Sequence, residues 1–452
     1  MVYNISINIG DEFMKVTFLG AGSTVFAKNV LGDLMLTESV KDIDIALYDI
    51  DKDRLEESFS LLNNIKKSTG RNDIQIESYF GINNLKEALT SADFAVNVIQ
   101  IGGYDPCTIT DFEIPKKYNL RQTIGDTLGI GGIFRALRTI PVMKHFANIM
   151  EEVCPKVILL NYTNPMSMLS GYMQKYTNIK TVGLCHSVQV CANTLLNNLG
   201  MTEYSENCKW EIAGINHQSW LLKIEDLKGN DLYPEIKKRA LEPEKYKIKN
   251  DLVRLEILKR FGYYNTESSE HTAEYLPYFI KKDYPELIER FNIPLDEYPR
   301  RCILQIEEWK KMKKDLINNS EIKHEISREY AAKIINAVVN DTPYRIHGNV
   351  LNTNLIPNLP AEACVEVPCM IDGNGINPCF VGNLPEQLAA LNRTNINPQL
   401  MAIQAAATLK KEYIYMAAYL DPHTSTELSL DEIKNLCDDL IIAHKGWLPK
   451  FN

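Results

Sequence analysis

A cysteine and two histidines are the residues of this chain whose types and setting most suggest chemistry. Cys185 and His186 are adjacent in the stretch GLCHSV, and His217 follows in GINH, in an apolar setting. A thiolate and an imidazole suit a borderline divalent ion, and a catalytic metal site keeps positions open for substrate and water. Spacing alone leaves a second interpretation open, in which these are a buried cysteine and two hydrogen-bonded core histidines.

A glycine turn forms a second candidate site, directly after the apolar run MKVTFL. The turn reads Gly20-Ala21-Gly22-Ser23, with Val25 in place of the third glycine of the dinucleotide fingerprint. Gly20 permits a tight turn, and Gly22 lets the backbone approach a pyrophosphate at a helix N-terminus. The turn predicts an NAD site, although a plain strand-to-helix turn has the same pattern.

An acidic residue strengthens the dinucleotide prediction. Asp49 ends the second apolar run, DIDIALYD, where a carboxylate can accept a hydrogen bond from the ribose 2′-OH and repels a 2′-phosphate. This favours NAD over NADP. Arg54 lies close by in the sequence and is also assigned to the cofactor site, and its positive charge weakens that preference.

Three further stretches hold polar residues that could face a ligand. Asn161 and Asn164 lie in NYTNP, and an Asx turn before the proline is the alternative for them. Asp126 and Arg135 lie in GDTLGIGGIFRALR, where a helix cap is the alternative. The third stretch is ESSEHTAEY, residues 267–275, for which a solvated helix start is the alternative; its candidate residues are Glu270, His271 and Tyr275.

The elements that must position these residues follow an alternating strand and helix pattern. Short apolar runs predict a first strand at MKVTFLGAG, a second ending at Asp49 and a third at SADFAVNVIQIGG. Later runs predict strands at KVILLNYTNP and TVGLCHSV. Helical patterns separate the runs, so we expect an α/β fold with a doubly wound, Rossmann-like parallel sheet.

The second half of the chain has a different character. Charged helical patterns dominate it, and strand-like pieces recur in NCKWEIAGINHQSWLLKIE and EACVEVPCMIDGNGINPCFVG. We therefore predict an N-terminal arm at 1–13, an NAD-binding domain at 14–200 and a helix-rich α+β domain at 201–452. The last domain would carry substrate-binding and oligomerisation surfaces.

Composition excludes several classes of protein. The 452 residues carry a net charge of −9, which disfavours nucleic acid and anionic membranes as main partners. No apolar run approaches the roughly 18 to 20 residues of a membrane span. Ten cysteines without framework spacing, and no secretion signal in the given sequence, predict reduced thiols and a cytoplasmic protein.

Taken together, the motifs resemble the NAD- and metal-dependent glycosidases of glycoside hydrolase family 4. The resemblance covers essentially the whole chain from Met14 onward. Within the family, the sequence is similar in particular to the α-galactosidase branch. It is carried, in this order, by FLGAGS, ALYDID, GDTLGIGGIFRALRTIP, NYTNPM, GLCHSV, GINH and ESSEHTAEY. The family departs from the two-carboxylate chemistry of other glycosidases.

The resemblance implies hydrolysis without net oxidation. In the family, NAD⁺ takes a hydride from C3 of the sugar, the C2 proton is removed, and the C1 leaving group is eliminated. Water then adds at C1, and the hydride returns to C3. A divalent ion, usually manganese, acts as the Lewis acid. We therefore expect NAD⁺ and Mn²⁺, or another divalent metal, as cofactors.

The resemblance also implies roles for individual residues. Cys185 and His217 match the family's metal ligands, and His186 matches the acid that assists departure of the leaving group. Asp126 and Asn164 match residues that contact the sugar.

The base that removes the C2 proton is less well defined by the resemblance. The family uses tyrosine in some branches and aspartate in others. Tyr275 is the expected base, and Glu270 and His271 are rivals that would otherwise bind substrate. A metal-linked environment would lower the pKa of Tyr275 from about 10.

The substrate expectation depends on two positions. Phosphosugar members of the family carry Asn or Asp after the metal cysteine, and an arginine near the end of the third strand. Here His186 and Gln100 occupy these places, so a phosphate would lack its bidentate partner. We expect a terminal α-galactoside such as melibiose, with an α-galacturonide or α-glucuronide as the alternative within the family.

Two other functional classes share the fold. A net sugar or hydroxyacid dehydrogenase would release NADH stoichiometrically, and a non-catalytic NAD sensor would need no metal pair. The resemblance further implies a homo-oligomer, a dimer or a tetramer.

Overall fold

A computed structural model of the chain describes residues 13–318 and 322–452. The predicted N-terminal arm, residues 1–13, lies outside the described residues except for Phe13. No helix in the described ranges is both long enough and apolar enough to cross a lipid bilayer.

The strands of the described residues join into one mixed sheet. Its order is β3-β2-β1-β4-β5-β6-β10-β11-β7-β8-β9, and β12 pairs with β11. The strands are β1 (Met14–Leu19), β2 (Ile43–Asp49), β3 (Ile74–Phe80), β4 (Phe94–Asn97), β5 (Ile158–Asn161), β6 (Lys180–Leu184), β7 (Cys208–Ile215), β8 (Gln218–Asp226), β9 (Tyr264–Asn265), β10 (Tyr344–Leu351), β11 (Cys364–Asp372) and β12 (Gly375–Pro378).

The first six strands are all parallel and run in the order 3-2-1-4-5-6. This is the strand order of doubly wound dinucleotide-binding sheets. The inner strands β4 and β5 are buried along their whole length, because helices cover both faces of the sheet. The predicted α/β, Rossmann-like fold class is confirmed.

Helices fill the crossovers and most of the second half. They are α1 (Thr24–Leu36), α2 (Lys52–Thr69), α3 (Leu85–Leu89), α4 (Ile109–Lys116), α5 (Gly129–Val153), α6 (Met166–Tyr176), α7 (Ser187–Asn198), α8 (Tyr233–Ala240), α9 (Leu252–Phe261), α10 (Ser269–Tyr275), α11 (Glu286–Arg290), α12 (Glu297–Asn318), α13 (Ala331–Val339), α14 (Glu386–Thr408), α15 (Glu412–Leu420), α16 (Pro422–Glu427) and α17 (Leu430–Ala443).

Three strands, β3, β9 and β10, were not predicted from the sequence. The run SADFAVNVIQIGG contains β4, the fourth strand rather than the third, because β3 precedes it in the chain. Strand β3 lies at the edge of the sheet and most of its side chains reach solvent. Its sequence, IQIESYF, mixes polar and apolar residues and therefore lacks the continuous apolar run of a buried parallel strand.

The antiparallel strands of the second half extend the same sheet. Strand β10 pairs with β6, with Asn349 opposite Gly183 and Gly348 opposite Leu184. Strand β11 joins β10 to the β7–β8 hairpin. One sheet thus runs on both sides of the boundary predicted near residue 200, and the domain division stays a prediction. This pairing brings the end of β6 and the β7–β8 turn towards each other.

Candidate active site

The glycine turn after β1 depends on the absence of side chains at two positions. Gly20 has φ +92°, and a Cβ there would lie 3.1 Å from the backbone of Val98 and Ile99. A Cβ on Gly22 would lie 2.8 Å from a carboxylate oxygen of Asp49. Both glycines are therefore required by close approach of neighbouring groups, as expected for a turn that brings backbone N–H groups to a ligand.

Asp49 ties the turn to the end of β2. Its Oδ2 accepts a hydrogen bond from the Gly22 N–H at 2.6 Å, and its Oδ1 accepts one from the Asp51 N–H at 2.9 Å. Ser23 directly precedes α1, and its side chain makes no capping hydrogen bond to that helix. Arg54 lies in the first turn of α2, where its N–H donates to Asp51. The predicted cofactor residues thus lie together at the carboxyl ends of β1 and β2.

The two predicted metal ligands meet in a partly buried cluster. Cys185 follows β6, His217 lies in the tight turn between β7 and β8, and the carboxylate of Glu267 lies beside them. One ligand atom from each residue lies within 4.8 Å of the other two. The Nε2 of His217 is 3.5 Å from Oε2 of Glu267. A single cation could contact the Cys185 thiolate and the His217 imidazole in this space.

The acidic side chains of the cluster change the pKa of its histidine. Burial by itself would lower the pKa of His217, but the neighbouring thiolate of Cys185 and carboxylate of Glu267 raise it to about 10. Two acidic side chains thus face the His217 imidazole, an arrangement of donors that a bound cation would balance. The other ring nitrogen of His217, Nδ1, has no hydrogen-bond partner among the residues that the structure describes.

His271 and Asp126 border the cluster. The ring of His271 lies edge-on to that of His217, with 4.6 Å between centroids. Its Nδ1 is 3.6 Å from Oε1 of Glu267, and its Nε2 is 4.0 Å from Oδ1 of Asp126. Burial lowers the pKa of His271 to about 3, so its imidazole is neutral. Burial also raises the pKa of Asp126.

Tyr275 ends α10 and is fully buried. Its Oη lies 3.3 Å from the Asn216 carbonyl oxygen and 3.4 Å from Oγ1 of Thr127. Asn216 directly precedes His217, so the phenol borders the cluster. Burial raises the pKa of Tyr275 above its usual value. Glu270 points elsewhere, since its Oε1 lies 3.5 Å from a guanidinium nitrogen of Arg301.

His186 directly precedes α7 and is held by an acidic partner. Its Nε2 lies 2.7 Å from Oε2 of Glu329, and its side chain is 40% exposed, whereas that of Glu329 is buried. The ring of Tyr162 stacks on it, with 6.3 Å between centroids. His186 is thus oriented by a carboxylate and an aromatic ring while one part of it faces solvent.

The two asparagines of NYTNP have different environments. Asn161 is buried, and its Oδ1 accepts from the Thr163 N–H at 3.2 Å, which is the Asx-turn alternative. Asn164 follows it, and its buried Oδ1 has no hydrogen-bond partner within the described ranges. Arg135 is also buried, and its Nη1 donates to the hydroxyl of Tyr298 at 3.0 Å. Asn164 is therefore the asparagine left available to a ligand.

Glu274, a further acid of the motif ESSEHTAEY, holds the loop that precedes Asp126. The buried carboxylate of Glu274 accepts hydrogen bonds from three consecutive N–H groups, those of Thr123, Ile124 and Gly125, at 2.6, 3.2 and 3.0 Å. These residues lead directly into Asp126. Burial raises the pKa of Glu274 to about 7, although the N–H donors favour its ionised form.

Sequence reasoning missed Glu267, Glu274 and Glu329. The first two belong to ESSEHTAEY, residues 267–275, so the motif that carried Glu270 and His271 contained a signal for them. Glu329 lies in a polar stretch without periodicity, 143 residues from His186, and nothing local in the sequence points to it.

Two family models cover most of the chain. "Family 4 glycosyl hydrolase" matches residues 15–201, and "Family 4 glycosyl hydrolase C-terminal domain" matches residues 212–424. The chain belongs to glycosyl hydrolase family 4. The family prediction made from the motifs is therefore confirmed.

Relatives of this family 4 chain include an alpha-galactosidase of Bacillus subtilis (strain 168). The two are 58% identical over 437 residues, which is 97% of this chain and 99% of the relative. Another alpha-galactosidase, from Rhizobium meliloti (strain 1021), is 31% identical over 97% of this chain and 89% of its own length.

The fold is also that of solved structures. A 6-phospho-alpha-glucosidase from gut microorganisms, in complex with NAD and Mn²⁺, matches with a TM-score of 0.79 at 20% identity, over 98% of this chain and all of the other. At an identity of 20%, this similarity shows a shared fold.

Proposed function

We propose that this family 4 chain is an α-galactosidase that hydrolyses terminal α-galactosides such as melibiose and requires NAD⁺ and a divalent metal, Mn²⁺ above others. The observation that carries the proposal is the presence of two sites at one edge of the sheet. These are the glycine turn with Asp49 and the Cys185–His217 pair, of which His217 is buried and Cys185 partly buried. The α-galactosidase relative at 58% identity supports the substrate class.

The residues present fit both cofactors. Neither Gly20 nor Gly22 has room for a Cβ, and the turn leads into the N-terminus of α1, which suits a pyrophosphate. A thiolate and an imidazole in one partly buried cluster suit a divalent transition ion. When bound, NAD⁺ supplies reversible hydride transfer at C3 of the sugar, and the ion supplies Lewis-acid polarisation of the sugar oxygens. The NAD and Mn²⁺ complex of the fold relative supports this assignment.

The residues of the chain then have distinct tasks. Tyr275, whose hydroxyl borders the cluster, would accept the C2 proton as a phenolate, once a cation bound at the cluster offsets the effect of burial on its pKa. Neutral His271 is the rival for that task. His186, held by Glu329, donates a proton to the departing oxygen. Asp126, whose buried Oδ1 lacks a hydrogen-bond partner in the described part of the chain, accepts one from a sugar hydroxyl.

Asn164 has the same task at the sugar. Its buried Oδ1 also lacks a partner among the described residues, so a hydroxyl of the bound galactoside would satisfy it. Glu270 faces Arg301 and would act only through that contact.

The charges near the end of β4 favour a sugar without phosphate. Gln100 follows this strand, and its amide lies 3.4 Å from Oγ1 of Thr108. The nearby Arg138 donates to the Ile101 carbonyl and forms a buried two-bond pair with Asp111, at 3.1 and 2.6 Å. Its guanidinium is therefore already neutralised. A phosphate would find no free bidentate partner in Arg138.

The test is a panel of p-nitrophenyl glycosides assayed with NAD⁺, Mn²⁺ and a thiol reductant. The α-galactoside should be hydrolysed fastest, NADH should not accumulate, and galactose formed in D₂O should carry deuterium at C2. A faster α-galacturonide or α-glucuronide would move the substrate to the uronide class. Stoichiometric NADH would show a net dehydrogenase. Galactose without C2 deuterium and without an isotope effect at C2 or C3 would refute the elimination route.

Assembly and location belong to the same proposal. We infer a homo-oligomer, a dimer or a tetramer, and a cytoplasmic enzyme. Light scattering coupled to gel filtration measures the first.

A further inference from the structure

Glu267 has an unusual backbone for its position beside the cluster. It lies between β9 and α10, with φ +67°, and His217 has φ +63°. Both are non-glycine residues in the left-handed region, which costs free energy and which proteins retain where surrounding structure imposes it. Two strained residues thus aim their side chains into the same space as Cys185.

The carboxylate of Glu267 has the position of a ligand. Its Oε2 lies 3.5 Å from Nε2 of His217, and its Oε1 lies 3.6 Å from Nδ1 of His271. Ligand atoms about 2.1 Å from one ion and at right angles to each other lie about 3 Å apart, so the separation of 3.5 Å between Glu267 and His217 needs only small adjustment. With Cys185 included, one atom from each of the three residues lies within 4.8 Å of the others.

We propose that Glu267 is the third protein ligand of the divalent ion, together with Cys185 and His217. The inference rests on the proposed function, because that function requires the ion. Thiolate and carboxylate together balance the two charges of the ion in a partly buried site. A carboxylate oxygen also shifts the donor set towards Mn²⁺, since manganese prefers oxygen ligands more than zinc does.

The alternative role for the Glu267 carboxylate is that of the base that removes the C2 proton. A base would leave metal affinity unchanged and would act only on the bound sugar, whereas a ligand contributes before any sugar binds. The affinity of the sugar-free protein for Mn²⁺ therefore separates the two roles.

The experiment titrates Mn²⁺ into chelator-treated, reduced protein with NAD⁺ and without sugar, and follows free Mn²⁺ by electron paramagnetic resonance. Glu267→Gln keeps the shape of the side chain and removes its charge. Glu270→Gln is the matched control, because Glu270 lies three residues further on and faces Arg301. We expect Glu267→Gln to weaken Mn²⁺ binding at least about tenfold and the control to change it less than about twofold.

NAD⁺ binding, measured by fluorescence, checks that each variant is folded. If Glu267→Gln does not fold, Glu267→Asp replaces it, and its shorter side chain should also weaken Mn²⁺ binding. Wild-type Mn²⁺ affinity in a folded Glu267 variant would overturn the proposal, whatever its turnover. A wild type that binds NAD⁺ but no Mn²⁺ would overturn this inference and the proposed function together.

Discussion

Removal of the Glu274 carboxylate should release the loop that carries Asp126. Three consecutive backbone N–H groups donate hydrogen bonds to this one buried side chain, at 2.6 to 3.2 Å. Glu274→Ala removes every acceptor at once. Because residues 123–125 are buried or nearly so, their N–H groups gain no equivalent partner unless water enters the space.

The size of the effect follows from the number of bonds. A buried N–H left without an acceptor costs about 1 to 2 kcal/mol, so three cost about 3 to 6 kcal/mol. We expect Glu274→Ala to lower the free energy of unfolding by this amount. Hydrogen exchange at residues 123–127 should be at least about 100-fold faster, since 1.4 kcal/mol is a factor of ten.

A second variant tests the protonation of the same group. The pKa of Glu274 in the folded protein, about 7, lies above its ordinary value of 4.5. Folding therefore takes up a proton between these pH values, and this contribution to stability, full below pH 4.5, is lost as pH rises through 7. Glu274→Gln does not titrate, so its stability relative to the wild type should improve from pH 5 to pH 8, by at most about 3 kcal/mol.

Urea unfolding at both pH values and exchange mass spectrometry measure these quantities. Glu270→Ala on the same helix is the control and should cost less than about 1 kcal/mol, because Glu270 contacts an exposed arginine. The reasoning would be refuted by a Glu274→Ala protein within 1 kcal/mol of the wild type and with unchanged exchange at residues 123–127. A Glu274→Gln difference that is constant with pH would refute the protonation argument.

The other predictions concern the two cofactor sites and the leaving group. Cys185→Ser should lose bound metal and activity yet remain folded, as measured by metal analysis, enzyme assay and circular dichroism. The control Cys191→Ser, at a buried cysteine of α7, should keep its metal and its activity. Asp49→Asn should weaken NAD⁺ binding by about 1 to 3 kcal/mol, roughly 5- to 150-fold in Kd by calorimetry; tighter binding of NADP⁺ by the wild type would contradict the role of Asp49. Glu329→Gln should lower kcat for melibiose more than for p-nitrophenyl α-galactoside, because p-nitrophenolate leaves without a proton from His186; equal losses would contradict this.

Local patterns in the sequence were enough for the parallel half of the fold. Buried strands with helices on both faces read as continuous apolar runs, so β1, β2, β4, β5 and β6 were predicted from sequence. The edge strand β3 was missed, because one side of it faces solvent and its sequence alternates.

Local sequence patterns also predicted part of the candidate site. The glycine turn, Asp49 and Cys185 all lie where a predicted strand ends, and in a parallel sheet those ends share one edge. Their grouping follows from chain order and periodicity alone. The family followed from seven short motifs, and two family models confirm it.

Only the tertiary structure decided which distant residues join this edge. Strand β10 pairs with β6 and carries β11 and the β7–β8 hairpin beside it, which sets His217 next to Cys185. Glu329 comes from 143 residues away to hold His186, and Glu274 comes from about 150 residues away to hold the loop before Asp126. Such pairings depend on how whole elements pack, and side-chain periodicity carries no information about them, because it reports only which face of an element is buried.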